Sequence, residues 1–184
     1  MANKSTPQKI YQLKITLLGS DPPIWRRIQV RSDIKLSDLH DVLQDVMGWY
    51  DAHLHQFIHD GIYYSDPSLD DFEPIEDETK VRLDKLLTRV RSKLIYEYDF
   101  GDSWEHEVRV EKVVSPDPDT KYPVCLAGER ACPPEDCGGV WGYADMLKIL
   151  ANPKDPEYEE WLEWSGDDFD PEEFDVDDVN EMLR

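Results

Sequence analysis

The sequence predicts an α+β fold, with an antiparallel or mixed sheet built from ββα units and a helical, acidic C-terminal tail. Three observations carry this. Apolar residues alternate over short segments that arrive in consecutive pairs, which is the pattern of hairpins rather than of strand–helix–strand crossovers. The dipeptide Asp60-Gly61 separates two such segments and is a strong two-residue hairpin turn. Beyond residue 155, apolar side chains at helical spacing are set among many Asp and Glu.

In chain order, residues 1–9 read as a flexible arm and residues 10–184 as a single α+β domain, with the acidic helical tail 155–184 packed on it. Leu13, Ile15 and Leu17 alternate as a strand. The turn Gly19-Ser20-Asp21-Pro22-Pro23 follows, then a second strand with Ile24, Arg26, Ile28 and Val30 on one face and Trp25 and Arg27 on the other. Ser37 reads as the N-cap of a helix with Leu39, Leu43, Val46 and Met47 on its apolar stripe and Gly48 as its terminator. His53–His59 and Ile62–Tyr64 form the hairpin around Asp60-Gly61. Residues 65–79, acidic and aperiodic, read as a surface loop, and Leu83, Leu86 and Leu87 as a short helix.

Residues 94–100 and 104–110 form another hairpin through Gly101-Asp102-Ser103. Residues 115–120 are a linker. Helices are expected over Tyr143–Leu150 and Glu157–Trp164. Asp170-Pro171-Glu172-Glu173 has the marks of a helix start, and Asp175 opens the last helix.

The 184 residues carry a net charge of −21, unevenly distributed. Residues 1–94 hold 13 Lys and Arg against 15 Asp and Glu, whereas residues 95–184 hold 7 against 26. That acidity opposes direct nucleic-acid binding, which calls for a basic face. A basic group in the first half (Arg26, Arg27, Arg31, Lys80, Arg82, Lys85, Arg89, Arg91, Lys93) reads as a solvated face. No apolar run approaches the roughly 18 residues of a membrane span. Three cysteines, an odd number, and an N-terminus without a signal-peptide pattern point to a cytoplasmic protein with reduced thiols.

Two stretches concentrate the chemistry: the turn from Tyr98 to His106, and the loop from Cys125 to Gly139. In the first, Asp99, Asp102, Glu105 and His106 offer carboxylates and an imidazole for a divalent ion or for acid–base work. The competing reading is a turn in which Asp99 or Asp102 caps backbone N–H groups and Gly101 supplies a positive φ. In the second, Cys125, Cys132 and Cys137 with His106 could make a Cys3His zinc site. The absence of a CxxC knuckle favours three small buried thiols instead, with Cys137 the one candidate for a reactive nucleophile. His53 and His55 share strand parity, with Trp49 nearby as a ligand wall or a cover for the helix end. The EF-hand reading of Asp167–Glu173 fails, because proline follows the third aspartate and the mid-loop glycine is missing.

Pro22–Ile28, Leu39-His40, Met47-Gly48-Trp49, His53–Phe57, Tyr96–His106, Tyr122-Pro123, Cys132–Gly139 and Gly142-Tyr143 together resemble the plasmid pRiA4b ORF-3-like family. The resemblance implies an α+β domain and, for some members, association with plasmids or transposable elements. It implies no established reaction.

The expected function is a non-enzymatic binding or accessory module. Its ligand-binding surface draws on Asp99, Asp102, Trp104, His106, Trp49, His53 and Asp136, and its partner is a protein or a small ligand. One alternative is a metal-dependent, hydrolase-like enzyme using the carboxylate and histidine cluster. The other is a structural module stabilised by zinc on Cys125, Cys132, Cys137 and His106.

Overall fold

The computed structural model of the protein describes residues 8–69, 75–166 and 168–184. Most of the 1–9 arm, the middle of the 65–79 segment and Asp167 lie outside the described residues. Among the described residues, eight strands form one sheet: β1 (Ile10–Leu17), β2 (Trp25–Arg31), β3 (His55–His59), β4 (Ile62–Ser65), β5 (Ile75–Asp77), β6 (Lys93–Tyr98), β7 (Trp104–Val114) and β8 (Val124–Glu129). Their order is β5-β4-β3-β6-β7-β1-β2-β8. The helices are α1 (Leu36–Met47), α2 (Leu83–Leu86), α3 (Gly139–Leu150), α4 (Tyr158–Ser165) and α5 (Val176–Met182). The α+β expectation holds, and the sheet is mixed because β4 and β5 run parallel.

The three hairpins read from the sequence are present as antiparallel pairs β1/β2, β3/β4 and β6/β7. Asp60 and Gly61 both have positive φ (51° and 79°), so their turn has the mirror-image geometry that matches strand twist. Two strands escaped the sequence reading. β5 lies within residues 65–79, expected to be a surface loop, and β8 within the expected cysteine loop. Both are edge strands whose order comes from partners distant in sequence. On the outer edge of β8, the Asn180 side chain of α5 completes the pairing: its Nδ2 donates to Cys125 O (2.9 Å) and its Oδ1 accepts from Cys125 N–H (2.8 Å). An edge strand is thereby covered by one amide.

Other boundaries shift for tertiary reasons. α1 starts at Leu36 with Lys35, not Ser37, at the N-cap and no side-chain cap. Its Leu36 N–H is satisfied by Val81 O (3.0 Å) instead. Gly48 ends α1 in the left-handed region (φ 98°), as expected. α3 begins at Gly139, four residues before the expected Tyr143. Residues 171–174 are not helical, and Asp170 Oδ1 accepts from Glu172 N–H in a turn. Asp175 does cap α5, accepting from the N–H groups of Asp177 and Asp178.

One face of the sheet holds the core. Leu13, Ile15, Leu17, Ile28, Val30, Phe57, Leu94, Tyr96, Tyr98, Trp104, Val108 and Val110 pack with Leu36, Leu39, Leu43 and Val46 of α1. Each such side chain contributes roughly 1.5–3 kcal/mol by burial. The opposite face carries Arg27–Glu111, Lys93–Glu107 and Arg109–Glu107 ion pairs. Of the basic group, Arg27 and Lys93 are paired on this face, and Arg31, Lys80 and Arg82 pair with nearby aspartates. The solvated-face expectation takes one correction. Arg26 has the parity of Ile28 and Val30 and is buried. Its Nε donates to Val46 O (2.8 Å), its Nη1 donates to Trp25 O and Glu129 O (both 3.0 Å), and its guanidinium lies 4.5 Å from the Phe174 ring centroid.

Candidate functional site

The two stretches singled out in the sequence meet. The β6–β7 turn is closed by Ser103 N–H donating to Asp99 O, while Asp99 Oδ1 accepts from the N–H groups of Gly101 (2.9 Å) and Asp102 (3.4 Å). The carboxylate thus caps its own turn. Positive φ falls on Asp99 (59°) and Ser103 (53°) rather than on Gly101. The loop before α3 then docks on this turn, with Gly138 N–H donating to Asp102 Oδ2 (3.0 Å). Gly139 shows how close the approach is: a Cβ there would stand 2.4 Å from Asp102 O. Only glycine fits that backbone.

A second seam runs through Glu135. Its Oε1 accepts from the Tyr98 hydroxyl (2.6 Å) and from Tyr50 N–H (3.2 Å). The Tyr98 oxygen in turn accepts from the N–H groups of Ala52 (2.9 Å) and His53 (3.3 Å). Burial and the neighbouring Glu135 carboxylate hold the Tyr98 hydroxyl well above its usual range, so it is a donor at any physiological pH.

Of the residues expected to act, His53, Asp99 and Asp136 come together. One ligand atom from each lies within 4.8 Å of the others. His53 Nε2 is 3.2 Å from Asp136 Oδ1 and 3.7 Å from Asp99 Oδ2. Asp136 also has positive φ (61°), so two of these three groups sit on left-handed backbone, a costly conformation outside glycine. Asp102 braces the seam rather than joining the cluster.

Trp49, Trp104 and His106 are behind the surface, and here the ligand-surface expectation is corrected. All three are buried. Trp49 stacks on Tyr98 (4.9 Å between centroids), meets His106 edge-on (5.1 Å), and donates from Nε1 to Pro133 O (3.1 Å). It is the wall between hairpin and loop. Burial lowers the His106 pKa to about 4, so the imidazole is neutral. Glu105 has the opposite strand parity and is exposed, so the Asp99–Asp102–Glu105–His106 constellation does not converge.

The three cysteines do not converge with His106 either. Among the described residues, no group of three His, Cys, Asp or Glu ligands within 4.8 Å includes a cysteine. Cys125 is held on β8 by Asn180, and the buried Arg26 guanidinium acts on Cys125 and Cys132 at once. Cys137 is buried and its thiol is pushed up to about 12 by burial and by Asp102, which removes the activation a nucleophile needs.

The sequence reading missed a second cluster. His40 of α1, Asp51 and His55 of β3 also lie within 4.8 Å of one another. His53 and His55 therefore do not share a site; each belongs to a different cluster. The available signal was His40 itself, a histidine on the apolar stripe of α1 beside Leu36, Leu39 and Leu43. A concavity of about 840 Å³ lies elsewhere, on the outer sheet face among Lys14, Arg27, Arg109, Glu107 and Glu111, where Arg27 pairs with Glu111 and Arg109 with Glu107.

The model of the plasmid pRiA4b ORF-3-like proteins matches residues 9–178. The chain belongs to that family. An uncharacterized protein of Sinorhizobium fredii, y4hQ, is 37% identical over 158 residues, covering 85% of this chain and 81% of that protein. The crystal structure of MM3350, a protein of unknown function from Methanosarcina mazei Go1, superposes with a TM-score of 0.86 at 42% identity. It covers 95% of this chain and 99% of that one. The pRiA4b ORF-3-like fold thus spans nearly the whole chain. Among the described residues, no helix is long and apolar enough to cross a membrane.

Proposed function

We propose that the protein is a non-enzymatic binding module whose working surface is the seam between the β6–β7 turn and the loop before α3, and that it takes a cationic segment of a protein partner. One observation carries this reading. Tyr50 (87% exposed), Leu54 (49%), Phe100 (47%) and Trp141 (82%) all stand on the segments that carry His53, Asp99 and Asp136. Exposed large apolar side chains gathered on one surface are the mark of an interaction site, whereas scattered ones are ordinary. The same segments carry the Asp136 carboxylate, whose side chain is 71% exposed, with Asp99 buried behind it. Aromatic faces beside carboxylates suit a Lys or Arg side chain through cation–π and charge-assisted contacts. The strongly acidic second half adds long-range attraction for a basic partner. The plasmid origin in the family's name supports an accessory role in a mobile-element setting.

Fluorescence anisotropy with an Arg-rich peptide and a Glu-rich peptide of equal length tests the reading, at an ionic strength where the Debye length is about 8 Å. The Arg-rich peptide should bind, and Trp141→Ala and Asp136→Asn should each weaken it about tenfold. Equal affinity for both peptides, or binding indifferent to both variants, would overturn the proposal.

A second reading, a metal-dependent hydrolase, is favoured by the approach of His53, Asp99 and Asp136 to within 4.8 Å. It requires hydrolytic activity that disappears with chelator and with His53→Ala. Persistence of activity in either case would exclude it.

A further inference from the structure

His40, Asp51, His55 and Glu78 form a second cluster, assembled from four segments. α1 supplies His40, the connection to β3 supplies Asp51, β3 supplies His55, and the turn after β5 supplies Glu78. The two imidazole rings are stacked in parallel, 3.4 Å between centroids and 4° between planes. His40 Nε2 lies 2.9 Å from Asp51 Oδ1, and His55 Nε2 lies 2.9 Å from Glu78 Oε2.

We propose that His40, Asp51 and His55 form a site for a divalent first-row transition ion, with Glu78 and Tyr96 orienting the two imidazoles from behind. Two imidazoles and one carboxylate, with remaining positions open to water, are the donor set such ions favour. Each histidine also has the outer partner that metal-ligating imidazoles use to fix their tautomer. Glu78 Oε2 stands 2.9 Å from His55 Nε2, so with that nitrogen donating, Nδ1 is left for the ion. The Tyr96 hydroxyl oxygen stands 2.8 Å from His40 Nδ1, so with Nδ1 donating to it, Nε2 is left for the ion.

The support behind these groups is itself built. Gln44 Nε2 donates to the Tyr96 hydroxyl (2.9 Å), and Gln44 Oε1 accepts from Asp51 N–H (2.9 Å). One side chain therefore braces the partner of His40 and the backbone of Asp51. Asp51 is held at φ 54°, a strained conformation that aims its carboxylate at His40.

Charge complementarity points the same way. The Glu78 side chain is only 7% exposed, and among the described residues His55 is its hydrogen-bonding side-chain partner. A divalent ion at this place would set positive charge beside the acidic side chains of both Asp51 and Glu78. Access is provided by Asp51, whose side chain is 60% exposed beside the buried histidines. Sharing an ion would tilt the two rings out of their parallel stack.

Chelator-treated full-length protein titrated with Co²⁺, followed by visible absorption, and with Zn²⁺ against a chromogenic chelator tests the proposal. One equivalent of each should bind with a dissociation constant of about 10 μM or tighter. His55→Gln should abolish binding, and Glu78→Gln should weaken it by roughly 10- to 100-fold, the usual effect of losing an outer partner. Asp51→Asn, at an exposed position that leaves the fold intact, should weaken binding at least tenfold even if His55→Gln fails to fold. Cys137→Ser should leave binding unchanged. Failure to bind either ion, indifference to Asp51→Asn, or loss through Cys137 would overturn it.

Discussion

The Tyr98 hydroxyl donates to Glu135 Oε1 at 2.6 Å, joining the last residue of β6 to the loop that leads into α3. That bond crosses between the two stretches richest in chemistry. The same oxygen receives the N–H groups of Ala52 and His53, so three segments depend on one atom. Tyr98→Phe leaves two N–H groups and a carboxylate without their partner. Stability should fall by about 1–3 kcal/mol, read from urea denaturation. A double-mutant cycle with Glu135→Gln should show coupling of about 0.5 kcal/mol or more, and strict additivity would show that the seam does not act as a unit.

His106 sets a pH dependence. The unfolded imidazole titrates near 6.5 and the folded one near 4, so between those values the unfolded chain binds more protons. Stability from this residue is whole above pH 6.5 and is lost as pH falls toward 4, by at most about 3 kcal/mol. His106→Leu should therefore lose less stability than the wild type between pH 6.5 and 4.5. Parallel denaturation curves for the two proteins across that range would exclude the assignment.

The thiols should be inert while the protein is folded. With Cys137 near 12 and Cys132 raised further by burial, the thiolate fraction at neutral pH is about three orders of magnitude below that of a free cysteine. Ellman's reagent should modify both slowly in buffer and rapidly in denaturant. Fast labelling of Cys137 in the native state would contradict its burial.

Asn180→Ala should uncover the outer edge of β8. Both hydrogen bonds to Cys125 disappear, at an expected cost of about 1–3 kcal/mol. Hydrogen exchange at the Cys125 amide should accelerate while exchange in β1 and β7 stays slow. Uniform acceleration across the sheet would mean that α5 secures the whole fold and not one edge.

The hairpins were legible because they are local. Alternating side chains, the Asp60-Gly61 turn and the Gly48 stop are each decided within a few residues. β5 and β8 were not legible, since three- and six-residue edge strands acquire their order from β4, β2 and Asn180. Arg26 misled for a related reason. Its charge reads as surface, while its parity with Ile28 and Val30 reads as core, and only the carbonyls of Val46, Trp25 and Glu129 make the buried position tolerable.

The candidate site divides the same way. Periodicity, composition and motifs suffice for the α+β class, the family, the acidic balance and the concentration of functional groups in the Tyr98–His106 and Cys125–Gly139 stretches. Which of those groups meet follows from the packing of the folded chain. It set His53 against Asp99 and Asp136, buried Trp49, Trp104 and His106, left the cysteines out of the three-ligand clusters of the described residues, and stacked His40 on His55. The reason is that strand parity fixes the face on which a side chain stands, but convergence depends on packing between segments far apart in the chain, which no local pattern encodes.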